Sequence, residues 1–284
     1  MKVGIYTLGC KVNMYESEYV IDKLKQNGYT IGDFEDICDI YIINTCTVTN
    51  SADSKSKKII RSAIKRNKDA CIVVMGCFIE ANKDYQEDGV DIYLGTKDKS
   101  KIVSLLDEYF SKKTAIRDIT NEEKKEFEDM FITTFEGRTR AFVKIQDGCR
   151  NFCSYCIVPY VRGRERSREP KDIIREIEHL VEDGVVEVML LGQNVNSYGK
   201  NLEHPVTFAQ LLQEVEKIEG LERIRFMTSH PKDLSDDLIE VMKHSKKICK
   251  HLHLPLQSGS SRLLKIMNRH YTKEQYLELV EKIR

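Results

Sequence analysis

Three cysteines, Cys149, Cys153 and Cys156, fall within eight positions of the stretch GCRNFCSYCIVPYVRGRERSR, residues 148–168. The spacing C-x3-C-x2-C lets three thiolates converge from one tight loop. A tetrahedral zinc site takes four ligands, and no histidine or fourth cysteine follows here; Pro159 and an arginine-rich run come next. Soft thiolates equally suit an iron–sulfur cluster. A four-iron cube held by three cysteines would leave one iron without a protein ligand, and that position could bind a small molecule. A second trio is dispersed: Cys10 ends TLGC, Cys46 ends IINTC and Cys77 ends VVMGC. Each follows an apolar run of buried-strand type. If those runs are neighbouring parallel strands, their carboxyl ends open on one crevice and the three thiolates meet there. Buried cysteines acting as small hydrophobes would fit the same positions. Cys38, Cys71 and Cys249 lack the placement and are read in that plain role.

The elements that must position these residues show in the apolar pattern. KVGIYTL (2–8), DIYII (39–43), CIVVM (71–75) and IYL (92–94) read as strands, with helical patterns at 14–27, 52–66 and DKSKIVSLLDEYF between and after them. In the helix at 14–27, Tyr15, Tyr19 and Leu24 share a face. Strands alternating with helices make an α/β domain with a parallel sheet of Rossmann-like or flavodoxin-like type. A second alternation has strands at 140–146, 186–191, 222–227 and 251–256, and helices around 171–183, 207–218 and 235–244; the chain ends in the helical YTKEQYLELVEKIR. This second rhythm suggests a parallel (β/α) barrel, or a partial one, with its chemistry at the carboxyl ends of the strands. The reading divides the chain into domains at 1–110 and 139–284, with a polar linker at 111–138 that has room for one strand.

Composition constrains partners weakly. The 284 residues exceed what one core usually serves, which agrees with two domains. Forty-five basic residues balance forty-five acidic ones, so a polyanionic partner must be met by a local patch. No apolar run reaches the length of a membrane span, and MKVGIYTLGCKVN lacks the features of a secretory signal, so a cytoplasmic location without membrane contact is expected. Nine cysteines in a reducing compartment point to metals or catalysis before disulfides.

Cys149, Cys153, Tyr155 and Cys156 at the end of a first barrel strand resemble the signature of the radical S-adenosylmethionine (SAM) superfamily. Two incomplete cysteine trios in one chain resemble, within it, the methylthiotransferases. TLGCKVN, NTCTVTNSADSKS, VMGC, LLGQNVNSYG, SHP and HLPLQSGS carry that likeness along the whole chain. GCKVN at 9–13 is similar to the branch that acts on N6-threonylcarbamoyladenosine beside the tRNA anticodon. The isopentenyladenosine branch and a ribosomal-protein branch are the alternatives within the family.

The resemblance implies two 4Fe-4S clusters, one on each trio, and SAM as a further cofactor. It implies radical methylthiolation at C2 of the adenosine, with a radical made at the cluster on Cys149, Cys153 and Cys156. Sulfur would be donated at the cluster on Cys10, Cys46 and Cys77. It further implies that Gly192, Gln193 and Asn194 hold the methionine end of SAM and that Tyr155 meets the adenine. Ser229, with His230, and Gln257 and Ser258 would lie on the same reactive edge. tRNA and an electron donor of flavodoxin or ferredoxin type are the implied partners. Further barrel strands and an RNA-binding TRAM module are expected beyond the residues given, so the barrel here is expected to be incomplete. From alternation alone, an extended RGRERSR would align Arg162, Arg164, Arg166 and Arg168 as a clamp for tRNA phosphates. Alternation in HLHLPL likewise puts Leu252 and Leu254 toward outer helices, with His251 and His253 facing the barrel interior. A two-cluster electron carrier, whose irons are normally saturated by four cysteines, is the competing reading from another class, and a zinc-stabilised RNA-binding module is a third.

Overall fold

A computed structural model describes residues 1–119, 126–133 and 139–284. Much of the segment read as a linker, 111–138, therefore lies outside the described residues. The chain forms two compact units. The first takes in the described residues up to 119 together with Met130–Ile132 and Tyr160–Arg162; the remaining described residues make the second.

The first unit is a six-stranded, wholly parallel sheet. Its strands are β1 (Lys2–Thr7), β2 (Thr30–Gly32), β3 (Ile40–Thr45), β4 (Cys71–Gly76), β5 (Ile92–Leu94) and β6 (Ile116–Asp118), in the order β2-β1-β3-β4-β5-β6. The connecting helices are α1 (Lys11–Gln26), α2 (Asn50–Arg66), α3 (Cys77–Ala81) and α4 (Ile102–Lys112). Every residue of β3 and β4 is buried. That is why both strands read as continuous apolar runs: helices cover the two faces of a parallel sheet. Tyr41, Ile43, Ile72 and Val74 pack with Ile60 and Ala63 of α2 on one face. α1 lies against β1, β3 and α4, and buries Tyr15, Tyr19 and Leu24 as its pattern predicts. The three-residue β2 escaped the sequence pattern, and β6 falls inside the stretch read as a linker with room for one strand.

In the second unit, β7 (Arg140–Lys144), β10 (Glu187–Leu191) and β11 (Arg223–Phe226) form a parallel sheet in the order β11-β10-β7, with a short antiparallel pair, β8 (Gln146–Asp147) and β9 (Arg166–Ser167), at its carboxyl end. The short helix α5 (Val158–Arg162) is divided between the units, Tyr160–Arg162 falling in the first; the second unit's other helices are α6 (Pro170–Glu182), α7 (Phe208–Glu216), α8 (Asp236–His244), α9 (Ser261–Ile266) and α10 (Lys273–Ile283). Ile173, Ile177 and Leu180 of α6 and Leu211, Leu212 and Val215 of α7 close the core over Val143, Val188, Leu190 and Ile224. The fourth strand expected at 251–256 is absent. The following segment meets β11 at a bridge of Ile224 with Ile248, and beyond β11 the Ser229 N–H donates to the His253 carbonyl at 3.3 Å. Pro255 has no N–H to extend a ladder, and Gln257 has φ +71°. Leu252 and Leu254 still pack on the core, whereas His251 and His253 are exposed and do not face an interior. No helix among the described residues is long and apolar enough to cross a membrane.

Candidate metal centres and the adjoining polar edge

Register puts the first trio at one sheet edge. Thr7 pairs with Asn44, Asn44 with Met75 and Thr45 with Gly76, so β1, β3 and β4 end together as neighbours. Cys46 and Cys77 are the next residues along β3 and β4, and Cys10 caps α1 three residues past β1. Gly9, at φ +105°, allows the approach: a Cβ there would sit 2.8 Å from the Cys46 Cβ and 3.0 Å from its Sγ. Asn13 fixes the loops by donating Nδ2 to the carbonyls of Leu8 and Thr45, each at 3.0 Å. Cys10 is exposed and the other two are buried. Burial pushes the Cys77 thiol up; Arg162 and Lys99 oppose this, and Glu16 and the Cys10 thiol add to it. Beside Cys77, Arg162 donates to Glu16 at 2.7 and 3.2 Å and to Asn13 Oδ1 at 3.0 Å, and Lys99 Nζ lies 3.7 Å from Glu16. Two buried cations thus attend one carboxylate, which suits a site that gathers thiolates.

The second trio sits on the loop after β8. Gly148 has φ +75°, and Cys149 N–H donates to the Gly163 carbonyl at 3.0 Å. Cys156 N–H donates to the Cys153 carbonyl at 2.9 Å, closing the turn between those cysteines. From the far end of the unit, Ser154 N–H reaches the Met267 carbonyl at 3.1 Å, and Asn268 Nδ2 donates to the carbonyls of Asn151 at 3.1 Å and Phe152 at 3.0 Å. Burial, with Glu165 and the two neighbouring thiols, drives the Cys149 thiol up to about 11 against a lowering hydrogen bond at Asn151. Burial also raises Cys156, with Cys153 contributing. Arg269 Nη1 lies 3.3 Å from Cys153 Sγ. Among the described residues no three His, Cys, Asp or Glu side chains close on one point as around a single ion. What gathers each trio is loop and sheet-edge geometry. Coordination deprotonates a thiol outright, so the donor chemistry of both sets fits a thiolate-bound cluster.

Beside this loop the carboxyl ends of β10 and β11 hold buried polar atoms without partners: Gln193 Oε1, Asn194 Oδ1, both side-chain atoms of Asn196, Ser229 Oγ and His230 Nε2. Such atoms are rare in folded interiors, where ordered water or a ligand completes their hydrogen bonding. Gln146 Oε1 accepts the N–H groups of Gln193 and Asn194, each at 3.0 Å, and Asn194 Nδ2 donates to Asp233 at 2.8 Å. A Cβ on Gly192 would meet Gln146 Oε1 at 2.6 Å. Burial first, and the Arg269 charge second, hold the His230 imidazole down to about 3. Ser258 Oγ accepts from Ser260 N–H at 3.2 Å inside its own turn, and Gln257 is exposed; neither joins the unpartnered set. Tyr155 is 51% exposed, its hydroxyl 3.3 Å from Arg269 Nη1.

The radical SAM superfamily pattern matches residues 143–284. The chain belongs to the radical SAM superfamily. Residues 2–95 match Uncharacterized protein family UPF0004. The tRNA-2-methylthio-N(6)-dimethylallyladenosine synthase of Lachnoclostridium phytofermentans is 50% identical over 99% of this chain and 63% of its own length. The threonylcarbamoyladenosine tRNA methylthiotransferase MtaB of Bacillus subtilis is 41% identical over the same shares. The chain therefore spans about 63% of the length of these relatives. Both relatives are named for methylthio transfer to a tRNA adenosine, and the likeness to each runs along 99% of this chain. Among solved structures, the radical SAM methyltransferase TsrM of Kitasatospora setae, with tryptophan and a SAM analogue, superposes with a TM-score of 0.69 at 15% identity, over 99% of this chain and 65% of that one. A second TsrM structure, with cobalamin and a [4Fe-4S] cluster, gives 0.66 at 14% identity, over 99% and 64%. At such identities the likeness is one of fold.

One expectation for this radical SAM chain is overturned. The four arginines do not share a face. Arg162 ends α5, Gly163 turns at φ +75°, and β9 pairs with β8, so the run is not extended. Arg162 is buried on Glu16; Arg166 Nη2 is 3.2 Å from Asp147; Arg168 binds Glu176, and Asp129 at 2.9 Å. Only Arg164 is exposed. Sequence reasoning also missed Gln146 and Asn196; the signal available for Gln146 was a lone amide at the end of the apolar strand RAFVKI.

Proposed function

We propose that this chain carries the two-cluster core of a tRNA methylthiotransferase, acting at C2 of an N6-modified adenosine. One observation carries the reading: each cysteine trio lies at the carboxyl edge of a parallel sheet, and the second lies beside a set of buried polar atoms that lack partners. Cys10, Cys46 and Cys77 would hold one 4Fe-4S cluster, and Cys149, Cys153 and Cys156 the other. When bound, these groups supply sulfur and the one-electron cleavage of SAM that opens an unactivated C–H bond to attack. Gln193, Asn194 and Ser229 would complete their hydrogen bonds on SAM, with Gln146 holding the Gln193–Asn194 turn in place. Asp233 orients the Asn194 amide, and Lys200 at 2.8 Å with Lys232 at 2.8 Å holds the Asp233 carboxyl down to about 2. Tyr155, exposed at the loop, is available to an adenine. The division into domains at 1–110 and 139–284, a cytoplasmic setting and an electron donor of flavodoxin or ferredoxin type belong to the same proposal.

GCKVN at 9–13 supports N6-threonylcarbamoyladenosine as the substrate. The higher identity to the dimethylallyladenosine synthase, 50% against 41%, favours isopentenyladenosine as a second reading. Mass spectrometry of tRNA nucleosides from a strain lacking the gene, complemented with the full-length protein, separates the two. Restoration of the methylthio form of one nucleoside assigns the substrate, and restoration of neither refutes both readings.

A further inference from the structure

Arg269 is 5% exposed, yet no carboxylate among the described residues pairs with it. Its Nη1 lies 3.3 Å from Cys153 Sγ and 3.3 Å from the Tyr155 hydroxyl. Nε donates to the Tyr271 hydroxyl at 3.2 Å, and Nη2 to the Pro255 carbonyl at 3.4 Å. Burying a guanidinium without a counter-charge is costly. The buried Arg162, Arg166 and Arg168 each have a carboxylate, which makes Arg269 the exception among them. Its sulfur contact points to where the missing negative charge arises.

We propose that Arg269 is a positioning residue that sets the reduction potential of the cluster on Cys149, Cys153 and Cys156, through a fixed positive charge and an N–H···S bond to Cys153. The proposal rests on the reading that this trio holds a cluster. When such a cluster takes one electron and no proton, its charge falls by one. A buried cation alongside stabilises the more negative form and raises the potential, as do hydrogen bonds to the sulfurs. Two aromatic rings hold the guanidinium in place, since the Tyr271 ring lies beneath it at 5.4 Å and His230 packs edge-on to Tyr271 at 5.8 Å. Asn268, the preceding residue, anchors the cysteine loop directly.

The test uses the whole 284-residue chain, reconstituted without oxygen as wild type, Arg269→Gln and Arg269→Lys. Each is titrated with dithionite at controlled potential and followed by electron paramagnetic resonance. The signal that changes on adding SAM reports the second cluster, and the unresponsive signal is the internal reference. Arg269→Gln is expected to keep its iron and sulfide and to lower the ratio of reduced to oxidised second cluster about tenfold at a given potential, about 59 mV for one electron. Arg269→Lys, which keeps the charge, shifts less, and the reference does not move. An unchanged midpoint in Arg269→Gln, an equal shift in both signals, or loss of the second cluster from both variants overturns the proposal. A wild-type chain with no SAM-responsive signal instead overturns the reading of the site on which it stands.

Discussion

A Cβ on Gly148 would lie 2.1 Å from the carbonyl oxygen of Arg164, so the backbone entering the second cysteine loop touches the strand leaving it. Only glycine fits that contact, and φ +75° at Gly148 adds about 1–2 kcal/mol against any other residue. Gly148→Ala is therefore expected to lose the cluster on Cys149, Cys153 and Cys156 and to keep the other. Gly9→Ala, whose Cβ would meet Cys46, is expected to do the reverse. Iron and sulfide analysis with resonance spectra checks this: each variant should retain about half the metal, with a different signal missing.

Arg162 and Glu16 form a buried pair within the first unit, which takes the Arg162 guanidinium away from the surface that a nucleic acid could reach. Removing one member of such a pair leaves a buried charge and costs about 3–5 kcal/mol. Glu16→Gln, which takes the carboxylate from both Arg162 and Lys99, should lower the unfolding free energy by that measure, and Arg162→Met, which leaves Glu16 with Lys99, should lower it by less. Equal stability of Arg162→Met and wild type would contradict the burial.

Arg166 and Arg168 are expected to behave likewise, with stability falling and tRNA affinity keeping its salt dependence. Arg164, which is exposed, differs. If it meets a phosphate, Arg164→Gln flattens the logarithmic salt slope of tRNA binding by about 0.7–0.9. Binding measured across a salt series decides, and a slope altered by Arg166→Gln alone would reverse the assignment.

His230 gives the fold a pH dependence. Its folded value, lowered from 6.5 to about 3 chiefly by burial, lies below the unfolded one. The unfolded chain therefore binds the extra proton first as pH falls. The stability His230 contributes is full above about pH 6.5 and is lost progressively as pH drops toward 3. Denaturation between pH 7 and pH 4 should show the decline, and His230→Asn should flatten it.

The placement of Cys10, Cys46 and Cys77 just past strand ends was legible because buried parallel strands such as Ile40–Thr45 and Cys71–Gly76 are apolar throughout. β2 was not, since three residues such as Thr30–Gly32 carry no periodic signal. The arginine run misled because its partners, Glu16, Asp129, Asp147 and Glu176, lie 8 to 146 positions away for the hydrogen-bonded pairs. A charge run says nothing about counter-ions brought by folding. In HLHLPL the alternation separated the leucines, which pack on the core, from the histidines, which are exposed and do not face an interior, and Pro255 with sparse backbone pairing prevented a strand.

The two-cluster reading is tested most directly by the resonance spectrum of the anaerobically reconstituted, reduced chain, recorded before and after SAM is added. Two 4Fe-4S signals, of which only the one lost in Cys149→Ala changes with SAM, are the predicted result. A single signal, or two that both ignore SAM, would contradict it.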